Sequence, residues 1–179
     1  ATGGGATNAA VSFKKLGCDV SAFFKIGTDQ AGEFIVQRMK EEGVVPHYKT
    51  VTPTQTGTSF IIPTPNKDRI IFAYRGANGT LKKDDIPQDL IESQNLVYIT
   101  SLSEQAAHAL PYITRMARKS IPTKGIRVAV NPGTSQLTCD VQTLKAALPD
   151  IDIIILNAEE MKMLMGSLKP RFFKSNNHY

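Results

Sequence analysis

Ile151-Asp152-Ile153-Ile154-Ile155-Leu156 runs directly into Asn157-Ala158-Glu159-Glu160. A near-continuous apolar run that ends on a polar residue suits a strand buried on both faces of a parallel sheet. Met161, Leu164 and Met165 follow at helical spacing, so a helix beginning near Ala158 is expected. Working back along the chain, 126–130 reads as another strand, followed by a helix around Val141, Leu144 and Leu148. Residues 96–100 read as a third, followed by a helix with Ala106, Leu110, Ile113 and Ala117 on one face. Strands alternating with helices in this way imply right-handed crossovers and a covered parallel sheet. The fold class is therefore α/β, a doubly wound, mostly parallel sheet flanked by helices.

The N-terminal part is less regular. Ala9, Phe13 and Leu16 form a helical stripe that Gly17 stops, and 20–26 reads as a strand. Asp29 is positioned to cap a second helix, with Ala31, Phe34, Ile35 and Met39 on its inner face and Gly43 at its end. The Thr-rich stretch 50–58 then breaks the alternation. Residues 59–62 and 69–74 look like strands on either side of the turn-forming Pro63-Thr64-Pro65-Asn66-Lys67-Asp68, which predicts a β-hairpin. The last residues, 166–179, carry Lys169, Arg171 and Lys174 without an acid and read as a tail or a broken loop.

Composition excludes several function classes. The chain has 179 residues, 41% hydrophobic and 21% charged, with no Trp, which suits one domain with a proper core. The net charge of +5 comes from Lys and Arg scattered beside acids, as in Lys40-Glu41-Glu42, so a solvated surface is expected and nucleic-acid binding is not. Cys18 and Cys139 have no metal or redox spacing and read as buried or partly buried free thiols in a reducing compartment. His47, His108 and His178 are solitary. No stretch approaches the ~18 apolar residues of a membrane helix, and the first residues lack a charged region followed by an apolar one, so a secretory leader is not expected there. A cytoplasmic protein without a membrane partner is the expectation.

Ligands of open α/β sheets bind beyond the carboxyl ends of the strands. Thr100-Ser101, Asn131-Pro132-Gly133 and Asn157 all fall there. Gly3-Gly4-Gly5-Ala6-Thr7-Asn8 precedes the first helix, where glycines let a ligand approach the backbone and free N–H groups favour an anion or hydroxyl oxygens. It is neither a P-loop nor a dinucleotide fingerprint; a flexible leader is the alternative. Asn157 and Glu160 have the spacing of a capping box, and equally of an amide and a carboxylate beside a phosphate chain and a hydrated Mg²⁺.

In this order the segments resemble the ribokinase (PfkB) carbohydrate kinase family. The resemblance rests on Gly3 to Ala10 followed by Gly17 and Gly27, on Gly27-Thr28-Asp29-Gln30-Ala31-Gly32, on Thr56-Gly57, on Gly76 to Leu81, on Asn131-Pro132-Gly133, and on Asn157 with Glu160. It spans roughly residues 3–166. It implies an incomplete ribokinase-like domain over 1–165, with 46–75 as a lid excursion. The implied activity is transfer of the ATP γ-phosphate to a hydroxymethyl group of a sugar or nucleoside. Gly4, Gly5 and Asn8 would bind the acceptor, Asn157 the nucleotide, and Glu160 would serve Mg²⁺ through water. A homodimer formed through the lid is a further implication.

The departures from the family pattern matter. Its first strand, with an acceptor-binding Asp, is expected before Ala1, and its Asp-Thr-x-Gly-Ala-Gly-Asp segment, with the base Asp, beyond residue 179. No catalytic residue is therefore assigned within the chain, which on this basis is expected to be inactive alone. Gly5 stands where ribokinases have Lys, and Leu102 or Ser103 stands near the place of their acceptor-binding Glu, so ribose is not the implied acceptor. The alternative is a non-catalytic sugar-binding or protein-interaction chain that retains the kinase fold.

Overall fold

The computed structural model describes residues 2–65, 69–102, 104–119 and 125–168. Asn66, Lys67 and Asp68 of the hairpin turn, Ser103, and most of the 166–179 tail with His178 lie outside the described residues. The chain divides into two compact units, residues 1–81 and 82–179.

The first unit opens with helix α1 (Gly5–Lys15), strand β1 (Ser21–Gly27), helix α2 (Gln30–Glu41) and strand β2 (Val45–Val51). β1 and β2 pair in parallel, Ser21 opposite Val45 and Gly27 opposite Val51, with α2 as the connecting helix. Asp29 caps α2 as expected, its side chain accepting the Gly32 N–H at 2.9 Å. The apolar faces differ from the expected ones. α1 buries Thr7 and Ala10 while Leu16 is 80% exposed, and α2 buries Gly32, Val36 and Met39 while Phe34 is 54% exposed. α2 starts right after Asp29 and buries Met39 as expected, but its buried positions 32, 36 and 39 lie beside rather than on the counted stripe. Met39 and Val44 pack with Ala10 and Ala22 in a small core.

Strand β2 covers 45–51, which the sequence assigned largely to the excursion; its His47 and Lys49 broke any apolar run. The antiparallel hairpin is β3 (Thr58–Pro63) with β4 (Arg69–Tyr74), Phe60 opposite Phe72 and Ile61 opposite Ile71. Every residue of both strands is exposed.

The second unit holds helix α3 (Gln88–Glu92), strand β5 (Leu96–Ile99), helix α4 (Leu110–Lys119), strand β6 (Arg127–Val130), helices α5 (Thr134–Thr138) and α6 (Val141–Ala147), strand β7 (Ile153–Ile154) and helix α7 (Ala158–Leu168). The sheet is parallel, ordered β5-β6-β7. Its core includes Ile99, Leu110, Ile113, Ala117, Val128, Val130 and Leu144, so the face predicted for α4 is the buried one. The run 151–156 is not a strand buried on both faces. β7 keeps only two residues, and Ile153 and Ile155 are 43% and 45% exposed at the sheet edge. α7 buries Leu164 but leaves Met161 and Met165 exposed, and it ends at Leu168.

Candidate functional site

In the first unit the expected acceptor residues share one helix start. Gly4 is the residue before α1, at φ 103° and ψ 153°, a conformation that residues with a Cβ essentially do not adopt. No side chain caps the helix, and no acid lies in its first turn. The Asn8 N–H closes the first helical bond onto the Gly4 carbonyl at 3.1 Å, and the Thr7 hydroxyl donates to the Gly3 carbonyl at 2.7 Å. Gly4, Gly5 and Asn8 are all exposed. The result is a helix N-terminus with accessible backbone, a favourable dipole and a neutral amide one turn in, which suits hydroxyl or anionic oxygens.

In the second unit polar groups gather at the carboxyl edge of the parallel sheet. Asn131, leaving β6, donates from Nδ2 to the Ile155 carbonyl at 2.8 Å, so this amide ties two strand ends together. Gly133 lies so close to Ser101 that an added Cβ would stand 2.6 Å from the Ser101 Cβ. Gln136 bridges the same two loops: its Oε1 accepts from Leu102 N at 2.8 Å and from Gly133 N at 3.2 Å. Sequence reasoning missed Gln136. The available signal was a Gln three residues after a strand-end glycine, the spacing of a helix-start bond.

Asn157 and Glu160 make the reciprocal cap of α7. Glu160 N–H donates to Asn157 Oδ1 at 2.8 Å, and Asn157 N–H donates to Glu160 Oε2 at 3.0 Å. This arrangement accounts for both residues structurally and still leaves Glu160 Oε1 outside the cap. One carboxylate with a free oxygen fits a hydrated Mg²⁺, which is commonly held by one or two carboxylates together with waters and phosphate. Among the described residues no group of three or more His, Cys, Asp or Glu gathers. The acceptor-side trio and the Asn157–Glu160 pair belong to different units.

Two further expectations are corrected or narrowed. Cys18 and Cys139 are free but exposed, because Cys18 follows the end of α1 and Cys139 ends the five-residue α5, where little packs over them. Among the described residues no helix is long and apolar enough to cross a membrane.

Comparison with known proteins gives the class to which a fold of this kind belongs. The chain belongs to the pfkB family carbohydrate kinases, whose family model matches residues 1–177. It is 28% identical over 167 residues to a ribokinase of Haemophilus influenzae, covering 93% of this chain and 52% of that protein. The chain thus spans about half the length of the curated relatives it matches. Among solved structures, an Anopheles gambiae adenosine kinase superposes with a TM-score of 0.83 at 16% identity, covering 94% of this chain and 54% of that one. A Xylella fastidiosa fructokinase with bound ATP gives 0.77 at 21% identity, covering 92% and 55%. These likenesses establish the ribokinase-like α/β fold.

Proposed function

We propose that the chain is the acceptor-binding and part of the phosphate-binding portion of an ATP-dependent kinase that phosphorylates a hydroxymethyl group of a sugar or nucleoside. The observation that carries this reading is the start of α1. Gly4 holds a glycine-only conformation, Gly5 and Asn8 are exposed beside it, and no side chain occupies the cap. A purely structural helix start would be served better by Ser, Asn or Asp at Gly4's position. On this reading Gly4, Gly5 and Asn8 hold acceptor hydroxyls and Asn157 orients the nucleotide. Glu160 holds Mg²⁺ through water; the ion neutralises phosphate charge when bound. The hairpin β3–β4 acts as a lid that keeps water from the acceptor, and its exposed apolar strands are where a second copy would pack. The family's Gly-Ala-Gly-Asp segment is not among residues 1–179, so the base would come from chain beyond them and these residues alone would not turn over. A cytoplasmic setting suits the two free thiols.

The test uses the complete polypeptide with ATP and a panel of sugars and nucleosides. Asn8→Ala is expected to weaken acceptor binding by about 1–3 kcal/mol, the cost of an unpaired polar contact, with nucleotide affinity unchanged. An equal loss for both ligands would make Asn8 structural. Glu160→Gln keeps a capping-competent side chain, so near-normal melting with a large fall in turnover and a raised Mg²⁺ requirement is expected. Unchanged turnover and Mg²⁺ dependence in Glu160→Gln would return the pair to capping alone, as the closed Asn157–Glu160 cap allows. The rival reading, a non-catalytic sugar-binding or protein-interaction chain that keeps the kinase fold, requires that the complete polypeptide phosphorylate no member of the panel.

A further inference from the structure

A helix cap needs one acceptor atom, and Asp29 uses two. Its Oδ1 accepts the Gly32 N–H of α2 and also the Thr56 hydroxyl at 2.5 Å, while Oδ2 accepts the Thr56 N–H at 2.8 Å. Thr56 is 3% exposed, and its hydroxyl in turn accepts the Gly27 N–H at 2.9 Å. One carboxylate therefore joins the end of β1, the first turn of α2 and the residue two before β3, a span of 27 positions.

The backbone has been brought close enough to make this contact. A Cβ added at Gly27 would lie 2.5 Å from the Thr54 carbonyl oxygen and 2.7 Å from Thr56 N, and one at Gly32 would lie 3.0 Å from Thr56 Oγ1. The return of the hairpin grips the same loop, since Ala77 N–H donates to the Gln55 carbonyl at 2.9 Å. Loop 54–56 is thus held from one side by Asp29 and from the other by the segment leaving β4. The hairpin enters and leaves through a single fastened point. Every residue of its two strands is exposed, and a pair of strands is marginal by itself in water. Its orientation must be set at that base.

We infer that Asp29 and Thr56 are positioning residues that fix the base of the β3–β4 hairpin, and so govern acceptor retention through the lid. The second half of this inference rests on the kinase reading; the first half does not.

Amide exchange in the intact protein tests it. Thr56→Val removes the hydroxyl at nearly constant volume. Asp29→Ser keeps a good helix cap but cannot span both Thr56 donors. Both substitutions are expected to speed exchange in 58–63 and 69–74 by at least about tenfold, since losing even one net hydrogen bond has that effect and Thr56→Val removes two. Exchange within α2 stays unchanged in Asp29→Ser, and Thr56→Ser stays at the wild-type rate. In the same variants the acceptor KM rises and the ATP KM does not. If Thr56→Val does not fold, Asp29→Ser against Thr56→Ser carries the comparison. Unchanged hairpin exchange in the foldable variants overturns the inference, as does acceleration spread equally over α1, β1 and α2. Accelerated hairpin exchange in a protein without kinase activity would keep the clamp and remove the kinase reading. Normal hairpin exchange in an active kinase would do the reverse.

Discussion

Phe60, Ile61 and Ile62 on one strand of the hairpin and Ile70, Ile71 and Phe72 on its partner are each between 50% and 70% exposed. Val128, Ala129 and Val130 in β6 are between 0% and 3% exposed. The two segments are equally good strand formers. They differ in what surrounds them. β6 has a parallel neighbour on each side and packs into a core shared with α4 and α6. The hairpin has one ladder and, among the described residues of its own unit, no layer over either apolar face. Residue type therefore specifies strand formation, whereas cover depends on which elements the rest of the sequence supplies.

The largest expected effect tests the buried side of this contrast. Leu110 on α4 is 0% exposed, and Leu110→Ala should cost about 2–5 kcal/mol of stability by leaving a cavity in a packed core. Urea denaturation of the second unit's signal would measure it. A loss below about 1 kcal/mol would mean that this core is loosely packed, and the contrast with the hairpin would lose its basis.

A smaller effect concerns the sheet edge, intermediate between the two regions. Asp152 interrupts the apolar run, and its carboxylate accepts the Val128 N–H at 2.8 Å and a bond from Arg118 at 3.1 Å. The Val128 N–H, more than Arg118, holds the Asp152 carboxyl below the ordinary carboxylate range. A carboxyl with a lowered folded-state pKa contributes stability that is present above the unfolded value of 3.8 and is lost as pH falls through the folded value. Asp152→Asn should therefore be less stable than wild type near neutrality, and the two should converge in acid. A difference that stays constant down the titration would show that charge is not what Asp152 contributes.

These particulars explain what could be read in the sequence. The alternation of strand and helix from residue 96 onward was legible because β6 buries three consecutive residues and α4 buries one helical face, so sequence pattern and burial agree. The hairpin was legible from its turn residues and β-branched strands. Strand β2 was not, because a two-stranded parallel pair with exposed positions has no apolar signature. The length of β7 was misread because the run at 151–156 is edge strand, where apolar residues stay half exposed and Asp152 supplies an acceptor in place of ladder. At the candidate site the glycine start and the Asn157–Glu160 spacing were visible as local patterns. The Asp29–Thr56 and Gln136–Leu102 contacts were not, since each joins residues that are distant in sequence through one side chain.

The smallest expected effect tests the exposed side of the contrast. Ile61 is 60% exposed on β3, so Ile61→Ser should change monomer stability by no more than about 0.5 kcal/mol, as for surface substitutions away from packed features. If a second copy covers the hairpin, the wild-type sedimentation coefficient and Tm should both rise with protein concentration, and Ile61→Ser should remove that dependence. Stability and association are then separable in one variant, because the side chain would be buried only in the dimer. A loss of about 2 kcal/mol from Ile61→Ser at a concentration where the wild type sediments as a monomer would break the comparison. A loss of that size is what burying such a side chain is worth, and it would mean that the hairpin packs against its own chain.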